Sequence, residues 1–179
     1  MNGYGWVEAW EAYAFTVVLG IAEDDVIRRL GGDPGRCEHR TFDECFWIPE
    51  TPQWVQIGQV GPGVLVAENN GWRANEDDTA VPLSRGGQVV SFYRNVNAVM
   101  RFIYAADGVL LSGFDPLLDE RPKDGCDARC LDPYLTGLPF GLDAAEPCAM
   151  ELLERVTGVR VDPAWLSAPQ RAFALPPLR

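Results

Sequence analysis

Two sets of residues in this 179-residue chain have types and spacing that could do chemistry. The first is polar. Glu68, Asn70 and Trp72 stand together in Glu68-Asn69-Asn70-Gly71-Trp72, and Arg94, Asn95 and Asn97 in Arg94-Asn95-Val96-Asn97, with Arg101 just beyond. Arginine forks and amides suit a carboxylate, phosphate or sugar, and a Glu among them could act as general base. The plainer explanation is turn chemistry with surface ion pairs, and the residue types favour it. Strand alternation sets Arg101 with Val99 and Ile103, partly buried and paired to an acid such as Glu68.

The second set is sulfur and imidazole. Cys37, His39 and Cys45 form C-x-H-x5-C, and Cys126 and Cys130 form C-x3-C. Zinc takes four tetrahedral ligands, commonly as two close pairs. These spacings are not those of a standard finger or ribbon. Free thiols and no cofactor are therefore expected, with zinc on these five residues as the alternative. Ser84, Ser91, Ser112 and Ser167 lack the G-x-S-x-G elbow, and no glycine-rich phosphate loop is present. Asn75-Glu76-Asp77-Asp78 lacks the alternate spacing of a calcium loop.

Composition narrows the partners. The formal charge of −11 repels phosphate backbones and anionic membrane surfaces, so neither nucleic acid nor membrane is expected. It favours encounter with a basic protein. Hydrophobic residues make up 47%, enough for a packed core in one domain over 1–179. No apolar run reaches membrane-spanning length, the N-terminus lacks a signal-peptide pattern, and the five cysteines are odd in number. A cytoplasmic protein with reduced thiols is expected.

Several elements must position these residues. Trp6, Trp10, Tyr13, Val17 and Ile21 recur at helical spacing, which predicts a helix over residues 5–19. A second helix begins with Glu23-Asp24-Asp25 and ends at Gly31-Gly32, completing a helical hairpin over 5–31. Residues 33–52 read as a long loop with an extended piece at 45–48. The sheet spans 54–114: a hairpin around Gly61-Pro62-Gly63, an exposed loop over 72–82, then three antiparallel strands over 88–94, 98–105 and 109–114. A loop over 119–127, a helical part over 127–166 and an extended tail over 167–179 complete the chain. The expected fold is α+β: an antiparallel sheet of about five strands in meander order, with the helical hairpin and the C-terminal helices packed on it.

The ordered set Ile27-Arg28-Arg29-Leu30-Gly31, Glu68-Asn69-Asn70-Gly71-Trp72, Leu83-Ser84-Arg85-Gly86-Gly87, Asn95-Val96-Asn97-Ala98, Asp107-Gly108 and Phe114-Asp115-Pro116 resembles a family of small uncharacterised proteins. That family is a domain of unknown function common in actinobacteria. The resemblance covers about residues 5–140, implies no established activity, and does not include the cysteines. With no strong catalytic motif, the sequence leans away from an enzyme. It points to a cytoplasmic protein-binding module, of immunity, antitoxin or regulatory type, acting on a basic partner. Trp47, Trp54 and Trp72 are its candidate aromatic anchors. The alternative is a small-molecule-binding protein or hydrolase whose Glu68, Asn70, Arg94, Asn97 and Arg101 converge in one pocket.

Overall fold

A computed structural model describes residues 3–118 and 122–177. Its centre is β1, Tyr13–Leu19, in the stretch where helical spacing predicts a helix. Among the described residues ahead of it, only a 3-10 turn, Gly5–Ala9, forms. The misreading has a physical cause. Tyr13, Phe15 and Val17 face one way and Ala14, Thr16 and Val18 the other, and all six are buried. A strand buried on both faces is a continuous apolar run, which periodicity cannot tell from a buried helix. Its aromatic and β-branched residues favour the strand.

The remaining elements follow in order: α1 (Glu23–Arg29), β2 (Glu38–Arg40), β3 (Trp54–Val60), β4 (Gly63–Asn69), α2 (Asp77–Leu83), β5 (Gln88–Arg94), β6 (Met100–Ala106) and β7 (Val109–Phe114). The C-terminal part holds α3 (Asp132–Leu135), α4 (Ala145–Thr157), α5 (Pro163–Ser167) and β8 (Gln170–Ala174). The sheet has eight strands in the order β2-β8-β3-β4-β1-β5-β6-β7, and the pairs are antiparallel.

The five expected strands are present as β3 to β7, but the five-strand meander with a helical hairpin is overturned. β1 inserts between β4 and β5, so those two are not neighbours. No helical hairpin exists over 5–31, because its first half is β1. The extended piece expected at 45–48 forms instead at β2, and the 72–82 loop holds a 3-10 turn, Arg73–Asn75, followed by α2. The tail expected to be a free arm contributes β8, which pairs with both β2 and β3. Residues 119–121 of the expected loop and 178–179 of the tail lie outside the described residues.

Both faces of the sheet are covered. On one, α4 lies over β1 and β5, and Phe15, Leu65, Phe92 and Phe102 pack with Ala149, Leu152 and Leu153. The left-handed Gly158 (φ 71°) ends α4. On the other, α1 and α2 bury Ile27, Leu83, Val66, Val89 and Phe173. Arg29 of α1 ties these two helices by donating to the carbonyls of Leu83 and Arg85, at 3.0 and 2.6 Å.

β8 is integral to this second core. Phe173 is 3% exposed, and a Cβ on Gly32 would stand 2.3 Å from its ring. Phe173→Ala should therefore lower unfolding free energy by about 3 kcal/mol in urea denaturation. A change under about 0.5 kcal/mol would mean that the tail is a loose arm.

Candidate functional site

The chemistry-bearing residues gather where β1 begins, β4 and β5 end, and β6 begins. Register sets Glu68 opposite Ala14, Ala14 opposite Tyr93, and Tyr93 opposite Arg101. Glu68 and Arg101 therefore share the face covered by α1 and α2. Arg94, one residue past Tyr93, points to the other face.

Glu68 is 1% exposed and fully committed to the fold. Its Oε2 accepts from the Arg73 backbone N–H at 2.8 Å and from Gln53 Nε2 at 2.6 Å; its Oε1 accepts from the Ala74 N–H at 2.8 Å. The carboxylate thus caps the 3-10 turn Arg73–Asn75, whose first N–H groups have no partner within the turn. Gly71 is required beside it, since a Cβ there would lie 2.2 Å from Gln53 Nε2 and 2.9 Å from Glu68 Oε2. Burial raises the Glu68 carboxyl above 4.5, and the three donors and the Arg73 charge offset this only in part.

The capped turn organises its neighbours. Asn75 Nδ2 donates to Ser91 Oγ at 2.9 Å, and Ser91 shares a 2.7 Å hydrogen bond with Thr16. Arg101 does not pair with Glu68. It donates to the Asn75 carbonyl at 2.9 Å and to Asp77 Oδ1 at 2.6 Å, because the turn stands between the two side chains. Trp72 donates to Glu76 at 2.9 Å, and its ring meets Trp47 edge-on at 5.4 Å and Tyr93 at 6.3 Å.

On the opposite face Arg94 Nε donates to Glu146 Oε1 at 2.8 Å, and Tyr13 Oη donates to Glu146 Oε2 at 2.6 Å. Arg94 also donates to the Glu11 carbonyl. Burial, with the Glu146 charge second, pushes the Tyr13 phenol well above its ordinary range. Asn95 shapes its turn by accepting from the Asn97 and Val99 N–H groups, both at 2.9 Å, and Asn97 is exposed on that turn.

Asn70 is left-handed (φ 60°) and pins the long loop through Nδ2 to the Trp47 carbonyl at 2.8 Å. Asn69 adds two ties, from its Nδ2 to the Phe42 carbonyl and from the Trp47 N–H to its own carbonyl, each 3.0 Å. The pinned loop separates two clefts. One, of about 510 Å³, is lined by Trp47, Pro52, Arg73 and Pro176. The other, of about 380 Å³, is lined by Trp10, Glu11, Asp43, Phe46, Asn70 and Val96.

The seven expected residues thus share one end of the sheet but not one pocket, and only Asn70 lines either cleft. Gln53, Arg73, Phe46, Val96 and Glu146 went unnoticed in the sequence. An Arg directly after a turn-forming Asn-Asn-Gly-Trp was the one signal for Arg73. The thiols do not converge either. Cys45 is buried and its thiol is pushed up to about 12 by that burial, whereas Cys126 is exposed and Cys130 half-buried in the segment after β7. Among the described residues, no group of three or more His, Cys, Asp or Glu is placed to hold a metal ion. None of the described helices is long and apolar enough to cross a membrane.

The chain belongs to the family of unknown function DUF6461, which matches residues 1–177. The match reaches further than the ordered motifs of residues 5–140 suggested. No curated protein and no solved structure matches the chain.

Removing the Glu68 carboxylate strands two backbone N–H groups and Gln53. Glu68→Ala should cost about 3 kcal/mol in urea denaturation at neutral pH. The pH dependence has a fixed sign. Because folding raises this carboxyl, its contribution is full below its unfolded value near 4.5 and is lost as pH rises through the folded value. As pH rises from about 4, wild type should lose stability relative to Glu68→Gln. A difference that stays flat or runs the other way would mean the carboxyl is not raised.

Proposed function

We propose that this protein is a non-enzymatic binding module that docks a basic protein partner in the cytoplasm, at the cleft between Phe46 and Val96. The supporting observation is the make-up of that cleft. Phe46 is 56% and Val96 61% exposed, although both are apolar. Exposed Glu11 and Asp43 line the cleft with them, and among the described residues no Lys or Arg does. An apolar centre beside acidic groups suits a partner that presents an apolar side chain flanked by Lys or Arg. The overall charge of −11 would speed the encounter in a salt-dependent way.

The aromatic anchors differ from those the sequence suggested. Trp47, Trp54 and Trp72 are half-buried and engaged, Trp54 beneath the Arg40 guanidinium at 3.6 Å and the other two against each other. Five free thiols suit a reducing compartment. An immunity- or antitoxin-type inhibitor of a basic protein is the most concrete form of this function. The alternative polar pocket has no support in the geometry, since Glu68, Arg94 and Arg101 are each bound within the fold.

The test is capture from the native lysate with wild type and with Phe46→Arg/Val96→Arg. Wild type should retain one stoichiometric basic protein, released by salt, and the double variant should lose it by about tenfold or more while its circular dichroism is unchanged. No stoichiometric partner, or equal capture by both proteins, would count against the proposal.

A further inference from the structure

The second cleft has a different chemistry. We infer that the cleft between residues 47–53 and 175–177 binds a small monocarboxylate with a flat apolar body. The carboxylate sits on the Arg73 guanidinium and the body lies between Trp47 and the prolines.

Four observations carry this. The volume of about 510 Å³ is that of a small-molecule site. The apolar walls are rigid. Trp47 is held edge-on against Trp72 at 5.4 Å and by its own Nε1, which donates to the Thr51 carbonyl at 3.1 Å. Facing it are Pro52, Pro176 and Pro177, whose rings fix their φ angles. A flat body fits such walls with little loss of side-chain freedom.

The guanidinium is also placed in advance. Glu68 fixes the Arg73 backbone through its N–H, and Arg73 Nη1 donates to the Pro176 carbonyl. Its Nε–H is shielded from solvent, so a ligand reaches the guanidinium at its Nη edge, where the planar fork matches a carboxylate. Finally, the lining limits the ligand's charge. Among the described residues Arg73 is the one cation lining the cleft, and Glu50 lines it too. A phosphate dianion would meet too little positive charge, within a protein of net charge −11. This site is separate from the Phe46–Val96 cleft, and neither proposal rests on the other.

The test uses the full chain with 2-naphthoate as probe, 2-naphthylmethanol as its neutral counterpart and 2-naphthyl phosphate as the dianion. Calorimetry should show saturable 2-naphthoate binding, about tenfold tighter than either counterpart. Arg73→Gln, which keeps the backbone N–H that Glu68 accepts, should weaken it by about tenfold. In wild type, 2-naphthoate should shift the Trp47 indole N–H resonance, which locates the site without any variant. No saturable binding, equal binding by Arg73→Gln, a tighter phosphate, or an unmoved Trp47 signal would each overturn the inference.

Discussion

A carboxylate 1% exposed to solvent survives in a protein only if donors surround it, and Glu68 takes its donors from the chain that follows it. Its acceptance of the Arg73 and Ala74 N–H groups folds residues 70–75 back over the end of the sheet. The arrangement on this face follows from it. Asn75 then reaches Ser91 and Thr16 across two strands, Arg101 is turned toward Asp77, and Trp72 is set against Trp47. Gly71 is the steric condition for the arrangement, since its missing side chain leaves the space that Gln53 fills.

The sheet order decides what the capped turn can touch. With β1 between β4 and β5, Glu68 and Arg101 occupy the same face three strand positions apart, and the 3-10 turn bridges them. The neighbouring residue Arg94 faces the other way, where α4 supplies Glu146. One end of one sheet thus holds two separate charge clusters. Two clefts lie on either side of the loop that Asn69 and Asn70 pin, and it is there that we propose recognition. One is acidic and apolar, and the other holds Arg73.

Local features were legible in the sequence wherever chemistry is local. The acids that open α1, the turn between β3 and β4, and the strands β5, β6 and β7 all lie close to where the sequence places them. Part of the polar end was also legible, because Asn and Gly at turns carry a mechanism, whereas Gln53, Arg73 and Glu146 carry no such local signal. What failed was long-range. Residues 13–19 carry apolar side chains on both sides, so no period distinguishes strand from helix, and their spacing fits a helix where the central strand forms. Without it, β4 and β5 had to be neighbours, and the meander followed. β8 was missed for a related reason. Residues 170–174 follow a turn and precede Pro176-Pro177, and only pairing with β2 and β3, more than a hundred residues upstream, makes them a strand. The Glu68–Arg101 pair was wrong by one intervening turn, which no spacing rule places.

Amide hydrogen exchange at Arg73 and Ala74, followed by NMR in wild type and in Glu68→Gln, tests most directly whether this carboxylate organises the site. In wild type both amides should be protected by about tenfold or more over exposed amides of the same chain. In Glu68→Gln that protection should fall, while amides in the middle of β1 keep theirs. Rapid exchange of both amides in wild type, or equal protection in the two proteins, would contradict the central role given to Glu68.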